Sequence, residues 1–378
     1  TPPPNEEYDN AAGGAITSLL LDHDLNVIDS SFNAGGMINN CSGSGTPWGT
    51  VLTGEESTAT LEADHGFVWE VDIDKHTKVR LDRCGRFDHE TAVVDRRTGF
   101  VYLTEDRSPG LLYRMRPFAR EHLKRGGILE AYRRGGSWVR IRDPLAREVS
   151  TSEQGRDGGA LAFERLEGGR FRGRWFYFTE TEDETSCGKV WRLDVDSDRL
   201  ELFAVGKKNF KMCMPDNLAF DADGNLYVTE DRLFNDDIGN RLIFIDRRTG
   251  KLSTFAEVVN PGEEPTGPEF LPGGRAMFLN LQRSANFGVT IVIEGPFPRR
   301  RDARETSAVL PPELQPSEAR LLDGPDLPSL SQLTMGAAAG LVNLRRRGLT
   351  DELPPDLEAV SDELGPPPRI AVPKRRST

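Results

Sequence analysis

The sequence predicts an all-β protein, and more specifically a six-bladed β-propeller. Two observations carry this prediction. Short hydrophobic strands that end in an acid or an amide recur along the chain, with their ends at residues 55, 105, 180, 230 and 282, so that the steps are 50, 75, 50 and 52 residues long. A repeat of about 50 residues that contains strands is typical of propeller blades. No long stretch with helical periodicity occurs before residue 297, which leaves strands as the building element.

The repeats contain further strands that are separated by tight turns. Residues 95–99 and 246–250 share the sequence Asp-Arg-Arg-Thr-Gly, in which aspartate begins the turn and glycine supplies the positive φ of a tight hairpin. Strands that alternate apolar and polar residues, or that are apolar throughout, follow the acidic ends at residues 67–72, 190–194, 242–246 and 289–293. The pattern predicts several antiparallel strands in each blade.

The number of blades and the closure of the ring depend on the chain ends and on the long step. Residues 14–22 and 25–29 predict a hairpin, and we expect it to pair with the strand at 289–293 and so to close the ring. Only five repeat ends are visible. The sixth blade is therefore expected either partly within the 106–180 interval or at the junction of the N- and C-terminal segments.

Composition divides the chain into three segments. Residues 1–10 are Pro-rich and polar and predict a disordered N-terminal segment, and residues 11–297 are predicted to form the propeller domain. Residues 298–378 are rich in Pro, Arg and acids and predict a largely irregular tail with one short helix at 330–347. The apolar run of that helix is too short to span a bilayer. The net charge of −12 argues against a nucleic-acid-binding surface.

Cysteine usage and the chain ends add little constraint. The four cysteines, at positions 41, 84, 187 and 213, are too few and too scattered for a disulfide scaffold or a zinc ribbon, although a link from Cys84 to another cysteine stays open. No signal peptide is present, and the first residue is Thr rather than Met, so we expect a processed or truncated product.

Hairpin geometry predicts that polar side chains from different blades meet. If one strand starts at one face of the propeller and its turn lies at the opposite face, the returning strand must end beside the start of the first. The residues that begin the first strands should therefore neighbour the acidic ends of the second strands. The strand starts are Cys41, Glu90, Glu167, Asp216, Asn217 and Glu264, and the acidic ends are Glu55, Glu56, Glu105, Asp106, Glu180, Glu230 and Asp231.

Such a set of donor groups around one axis indicates a multinuclear metal site. Carboxylates that lie this close raise one another's pKa unless cations neutralise them. Oxygen-rich clusters suit calcium, and the thiolate of Cys41 adds affinity for iron or zinc. Glu180 is the exception among the acidic ends, because the acids at 182–184 that follow it indicate a solvated loop.

Several motifs resemble those of the PhoX-type alkaline phosphatases. They are residues 40–56 (Asn-Cys-Ser-Gly-Ser-Gly-Thr-Pro-Trp-Gly-Thr-Val-Leu-Thr-Gly-Glu-Glu), 85–90, 104–107, 215–218, 264–268 and 280–282. The resemblance extends over residues 10–295 and implies a six-bladed propeller that hydrolyses phosphate monoesters with Fe³⁺ and Ca²⁺ on its axis. It implies that Cys41 binds iron. It also implies iron or calcium ligands at Glu56, Glu105, Glu167 and Glu264, with Asp216 and Asn217 close by.

The resemblance implies export to the periplasm or the extracellular space, and we expect a monomer that acts on small phosphorylated metabolites. The expected reaction is metal-assisted transfer of a phosphoryl group to water. For phosphate recognition the candidates nearest the acidic ends are Arg107 and Arg283. His89 lies beside Glu90 and is a candidate general acid, or a residue that orients a ligand carboxylate.

The chain departs from the family pattern at two places. The family often has a cysteine where this chain has Gly54, and a His-Pro-Gly sequence where this chain has Arg-Ser-Ala at 283–285. Neither change removes a predicted metal ligand. The assignment of the phosphate-binding arginines is the part that these changes leave open.

Two other functions stay open. Residues 215–227 resemble a stretch of the gluconolactonase propellers, which are calcium-dependent, although a lactonase needs few of the acids found here. A non-catalytic propeller with structural metals and a partner-binding face is the other alternative. No hydrolase elbow, phosphate-binding Gly-rich loop or Rossmann fingerprint is present. Elemental analysis separates the three, because iron with several calciums favours a phosphatase and a single calcium favours a lactonase.

Overall fold

The all-β prediction is confirmed, and the observed architecture is a propeller of five blades. The computed structural model describes residues 8–182, 187–206, 212–231, 239–258, 263–282 and 288–297, and two short strands at 320–321 and 369–370. These residues form five sheets of four or more strands and one sheet of two strands. The first strands of successive sheets contact one another in chain order. The six blades expected from the sequence are not confirmed.

The blades are named first to fifth in chain order. The first blade contains β3 (Asn40–Gly45), β4 (Val51–Glu55), β5 (Val68–Asp72) and β6 (Thr77–Arg80). The two-stranded sheet contains β1 (Gly14–Leu21) and β2 (Val27–Met37). The second blade contains β7 (His89–Val94), β8 (Val101–Glu105), β9 (Gly110–Pro117), β10 (Gly127–Arg133), β11 (Ser137–Arg140) and β12 (Ala162–Phe163), which pairs with β9.

The remaining blades have the same order of strands from the axis outward. The third blade contains β13 (Leu166–Arg172), β14 (Trp175–Glu180), β15 (Lys189–Asp194) and β16 (Arg199–Val205). The fourth contains β17 (Pro215–Phe220), β18 (Leu226–Glu230), β19 (Arg241–Ile245), β20 (Leu252–Val258) and β25 (Arg369–Ile370). The fifth contains β21 (Glu264–Phe270), β22 (Ala276–Gln282), β23 (Val289–Glu294) and β24 (Arg320–Leu321).

The long step between residues 105 and 180 enlarges the second blade. Beyond the four strands β7 to β10 it contains β11 and β12, so the expectation of a sixth blade in this interval is wrong. The interval also contains the helix α1 (Thr151–Asp157), whose N-cap Ser150 accepts a hydrogen bond from the backbone N–H of Glu153. Two 3₁₀ turns lie at Asp82–Cys84 and Leu123–Arg125. No helix in the described part of the chain is long and apolar enough to cross a membrane.

The hydrophobic cores lie between neighbouring blades. Tyr102 of the second blade contacts Phe176 of the third with their ring centroids 5.4 Å apart, and Tyr227 of the fourth contacts Phe270 of the fifth at 5.0 Å. Because each blade is covered on both faces, strands β4, β8 and β18 are buried at every residue, which explains their continuous apolar character. Each large side chain buried in this way stabilises the fold by about 1.5–3 kcal/mol.

The β1–β2 hairpin closes the ring by packing. On one side Ile16 lies in a core with Trp69 of the first blade, and on the other side Leu25 lies in a core with Phe278 of the fifth. The predicted pairing with residues 289–293 is wrong, because β23 pairs with β22 and β24 while β1 pairs with β2. The hairpin therefore lies between the last blade and the first, where a sixth blade was expected. Within the described residues it closes the ring through side-chain packing and not through backbone hydrogen bonds to either blade.

The turns have the chemistry that the sequence predicts. In the β7–β8 turn, the Asp95 carboxylate accepts hydrogen bonds from the backbone N–H of Arg97 and the hydroxyl of Thr98, and Gly99 has a φ of 78°. The identical sequence at 246–250 forms the β19–β20 turn, with a φ of 66° at Gly250. Both turns lie at the face opposite the strand starts.

A disulfide and two tail strands add links between segments. Cys187, just before β15, is bonded to Cys213, just before β17, a pairing that the sequence did not indicate. Cys84 is buried and has no disulfide, so the link left open for it is not formed. Strands β24 and β25 belong to the 298–378 segment and pair with the fifth and fourth blades. The helix predicted at 330–347 lies outside the described residues.

Candidate metal centre

Each of three neighbouring blades begins with a β-bulge that contains an acidic residue. In the second blade His89 pairs with Glu105 and Ala92 with Leu103, so that two residues, Glu90 and Thr91, lie opposite one. The same register shift occurs at residues 167–168 of the third blade and at 216–217 of the fourth. Bulges of this kind bend the strand and redirect a side chain. They explain how one carboxylate per blade leaves the ordinary alternation of the strand.

These carboxylates converge with a thiol at one end of the propeller. Cys41, Glu56 and Glu90 each offer one ligand atom, and the three atoms lie within 4.8 Å of one another. Glu90, Glu167 and Asp216 form a second group with the same limit. Glu90 belongs to both groups. Four blades thus contribute to one continuous cluster, which we call the axial cluster (Cys41, Glu56, Glu90, Glu167 and Asp216).

The axial cluster is electrostatically unfavourable without cations. Burial raises the pKa of Glu90 to about 8, and burial together with the charge of Glu90 raises the pKa of Glu56 to about 9. Burial and neighbouring carboxylates also raise the pKa values of Glu167, Asp216 and Cys41 well above their usual ranges. Bound cations would remove this penalty, because they stabilise the ionised forms.

Asn217 links the cluster across three blades. Its side-chain N–H donates to the carboxylates of Asp216 at 2.6 Å and Glu90 at 3.3 Å. Its Oδ1 accepts from the backbone N–H of Gly267 in the fifth blade at 2.7 Å. The amide therefore fixes the relative positions of two cluster carboxylates.

Arg165 borders the cluster and was not predicted from the sequence. Its Nε and Nη2 donate to the Asp106 carboxylate at 2.9 and 3.0 Å, and Nη2 also donates to Glu167 at 2.6 Å. Its side chain is 33% exposed. In the sequence it stands two positions before the strand start Glu167, and in the structure it lies just before β13 with a φ of 51°.

The first acid of each acidic end lies away from the cluster. Successive side chains of a strand point to opposite sides, so Glu55 and Glu105 face the blade interior while the residues after them face the axis. Glu105 accepts hydrogen bonds from the backbone N–H of Leu111 and the hydroxyl of Tyr113, both at 3.0 Å. Burial raises the pKa of Glu105 to about 7.

The same arrangement recurs in the other blades. Glu55 accepts from the backbone N–H groups of Gly66 and Phe67 and contacts His65 Nδ1 at 2.7 Å, and the other ring nitrogen of His65 lies 3.2 Å from Asp9. In the fourth blade Glu230 accepts hydrogen bonds from the guanidinium of Arg241 on the next strand and from the backbone N–H of Cys213 in the loop before the blade. Glu180 accepts from Trp191 Nε1 at 2.7 Å.

The remaining predicted residues occupy different environments. Asp231 and Glu264 lie close enough to Asp216 to raise its pKa, after the larger effect of burial. Arg107 is 55% exposed and lies 3.9 Å from Asp88. Arg283 lies outside the described residues.

His89 points away from the axial cluster. Its Nε2 is 3.0 Å from the Gly85 carbonyl oxygen, and its ring centroid lies 3.7 Å from that of Phe87. Burial lowers the pKa of this imidazole to about 3, which keeps it neutral. The place of His89 also accounts for Gly54, since a Cβ at residue 54 would lie 2.6 Å from the His89 Cβ.

The donor set fits metal ions. Four buried or half-buried carboxylates supply the oxygen ligands that calcium prefers, and the Cys41 thiol adds a ligand suited to iron or zinc. Asp106 lies at the edge of the set and is held by Arg165. The cluster therefore offers more ligand atoms than a single ion requires.

Comparisons with known proteins bear on this site. The family model described as alkaline phosphatase PhoX matches residues 11–285. PhoX of Pseudomonas fluorescens, solved in complex with vanadate, a transition state analogue, is similar in structure, with 18% identity over 71% of this chain and 70% of that chain and a TM-score of 0.54. A gluconolactonase of Xanthomonas campestris shows 12% identity over 66% of this chain and 71% of that chain, with a TM-score of 0.43. No curated protein matches the sequence.

Proposed function

The chain belongs to the alkaline phosphatase PhoX family and is a phosphatase, and on this premise we propose that it hydrolyses phosphate monoesters at the axial cluster. The observation that carries the proposal is the shared carboxylate of Glu90. It lies within 4.8 Å of ligand atoms from Cys41 and Glu56 on one side and from Glu167 and Asp216 on the other. This arrangement supports two adjacent cation sites rather than one.

We propose calcium and iron as the cations. Cys41 with Glu56 and Glu90 would hold iron, because a thiolate favours it over calcium. Glu90, Glu167 and Asp216 would hold calcium, with Asp106, Asn217, Asp231 and Glu264 at the border of the site. When bound, such cations polarise phosphoryl oxygens and offset the charge of the transition state.

Arg165 is the residue best placed to bind a phosphoryl oxygen. It is held by Asp106 and Glu167, and it keeps a third of its side chain exposed. A guanidinium fixed by two carboxylates is oriented before substrate arrives, which reduces the cost of binding. Its planar set of N–H donors matches phosphate geometry. The proposed substrates are small phosphorylated metabolites.

Arg165→Lys is expected to lower kcat/KM for nitrophenyl phosphate by about 10²-fold, because lysine keeps the charge but cannot bind both carboxylates and a phosphoryl oxygen. Metal content, measured by elemental analysis, should stay at the wild-type ratio. Arg174→Lys is the matched control and should retain activity, because Arg174 also bonds to a carboxylate, that of Asp194, but lies in the β13–β14 turn at the opposite face. If Arg165→Lys lost bound metal in proportion to its loss of activity, the role of Arg165 would instead be to hold the metal-binding carboxylates in place.

The direct test of the proposed function is elemental analysis and turnover on the same purified sample. We expect iron together with several calciums per chain, and hydrolysis of nitrophenyl phosphate that survives mild dialysis. A single calcium without phosphatase activity would favour a lactonase. Protein with neither metal nor activity would contradict the proposal.

We further propose that the protein works in the periplasm or outside the cell. The Cys187–Cys213 disulfide supports this, since such bonds persist in oxidising compartments and are rare in the cytosol.

A further inference from the structure

Three buried threonines lie opposite the bulges that begin the inner strands. Thr104, Thr179 and Thr229 each immediately precede the acidic end of a second strand, and each has no exposed surface. The ladder registers place them across from residues 90–91, 167–168 and 216–217. These three threonines therefore have a constant relation to the residues of the axial cluster.

Two of these hydroxyls connect one blade to the next. Thr104 Oγ1 accepts from the backbone N–H of Thr91 at 2.9 Å and donates to the carbonyl oxygen of Glu167 at 2.7 Å. Thr179 Oγ1 donates to the carbonyl oxygen of Asp216 at 2.7 Å, and it lies 3.3 Å from the carbonyl of Gly168 in its own bulge. In both cases the acceptor is the backbone of a residue whose carboxylate belongs to the axial cluster.

The backbones at this level are in close contact. A Cβ on Gly168 would lie 2.7 Å from the Cα of Asn217 and 2.8 Å from the carbonyl oxygen of Asp216. The third and fourth blades therefore meet here without an intervening side chain. A change of a few tenths of an ångström in one bulge must be transmitted to the neighbouring one, because the interior has no free volume to absorb it.

We propose that Thr104 and Thr179 are positioning residues that set the spacing of the cluster carboxylates across blades. The inference rests on the proposed function. Each hydroxyl fixes the backbone of a residue whose side chain would bind a cation, and a β-branched side chain holds that hydroxyl in few rotamers. Thr229 differs, because its hydroxyl bonds to the backbone of Asn217 in its own blade.

Calcium binding to the metal-stripped full chain tests the proposal. Calcium is titrated alone, by calorimetry, into wild type, Thr104→Val and Thr179→Val. Valine keeps the shape and removes the hydroxyl, so we expect calcium affinity to fall by about 10- to 100-fold, as for other residues that orient metal ligands. Thr104→Ser and Thr179→Ser restore the donor and should return affinity close to that of wild type.

Thr151→Val is the matched control, since this buried hydroxyl donates to the backbone of Arg86 away from the cluster. It should lose stability without losing calcium affinity. Equal affinity in wild type and both valine variants overturns the positioning role. An equal loss in Thr151→Val does so as well, because it would reflect general destabilisation.

Thr104→Ala and Thr179→Ala give a second test if a valine variant does not fold, because alanine also removes the hydroxyl that bonds to the next blade. We expect weaker calcium binding in these variants, and an unchanged affinity would contradict the proposal. If the wild-type protein hydrolyses nitrophenyl phosphate and the variants bind calcium as tightly as wild type, only the positioning role is contradicted. If the wild-type protein neither binds calcium nor hydrolyses nitrophenyl phosphate, both the positioning role and the proposed function are contradicted.

Discussion

Glu90→Gln is expected to abolish metal binding at the axis and to lower kcat/KM for nitrophenyl phosphate by about 10³-fold or more. Glu90 is the one carboxylate common to both donor groups of the axial cluster. Glutamine preserves the volume but removes the charge, so each proposed cation site loses an anionic ligand. Loss of the several kcal/mol that a cation supplies to a phosphoryl transition state corresponds to a rate loss of this size.

Elemental analysis and steady-state kinetics on one preparation measure both effects. Glu130→Gln is the matched control in the same blade. Glu130 is buried, but it is bonded to Arg114 and Arg116 on the outer strands. That variant should lose stability while it retains wild-type metal content and turnover. If Glu90→Gln retained both metal ions and activity, the axial cluster would not be the site of the reaction.

We expect the free energy of unfolding of the metal-free protein to fall as the pH rises from 5.5 to 9. We expect no such fall for the metal-loaded protein. The pKa of Glu90 is raised from an ordinary 4.5 to about 8 and that of Glu56 to about 9, mainly by burial. Below pH 4.5 both the folded and the unfolded chains hold these protons, so no penalty applies. As the pH rises above 4.5, these carboxyl groups lose their protons in the unfolded chain before they do in the folded protein, and this loss of protons favours unfolding.

The penalty is complete once the pH exceeds the folded pKa values. Because one pKa unit corresponds to about 1.4 kcal/mol, the loss between pH 5.5 and pH 9 is on the order of 4 kcal/mol for each of the two carboxyl groups, which together lower Tm by roughly 20 °C for a domain of this size. Thermal unfolding of protein stripped of metal beforehand, at pH 5.5 and pH 9, measures it. Metal-free Glu90→Gln should show a shallower decline, because glutamine does not titrate. A decline of the same size in the metal-loaded protein would rule out this origin.

Hairpin geometry predicted which strand starts converge, because it depends only on the alternation of faces. The structure brings Cys41, Glu90, Glu167 and Asp216 together, and it pairs Glu264 with Gln282 at the end of the fifth blade. The period near 50 residues was therefore enough to predict most of the residues that converge. It did not predict the direction of each side chain.

Direction was not predictable for the acid pairs. Glu55 and Glu56 are neighbours in sequence, yet alternation sends one into the blade interior and the other to the axis. The bulges at the strand starts shift the alternation by one residue, and no residue type specifies a bulge. Arg165 was not predicted, because it stands next to a strand start, whereas the predicted Arg107 and Arg283 stand next to the strand ends at 105 and 282.

The blade count failed for a different physical reason. The sequence pattern of a hairpin specifies its two strands but not their partner, and β1–β2 gains its burial through Ile16 and Leu25 instead of a ladder to β23. The disulfide was missed similarly. Cys187 and Cys213 are 26 residues apart in connections of adjacent blades, and only the ring brings those connections together.

Closure through the N-terminal hairpin has a consequence for how the protein is made. Residue 25 shares a core with residue 271, so the hairpin, which is synthesised before the five blades, completes its burial only after nearly the whole propeller has been made. Contacts this distant in sequence carry a large loop-closure entropy and form late. A nascent chain that has not yet added its fifth blade would present the apolar side of the hairpin to chaperones, and any truncation before that point would leave the ring open.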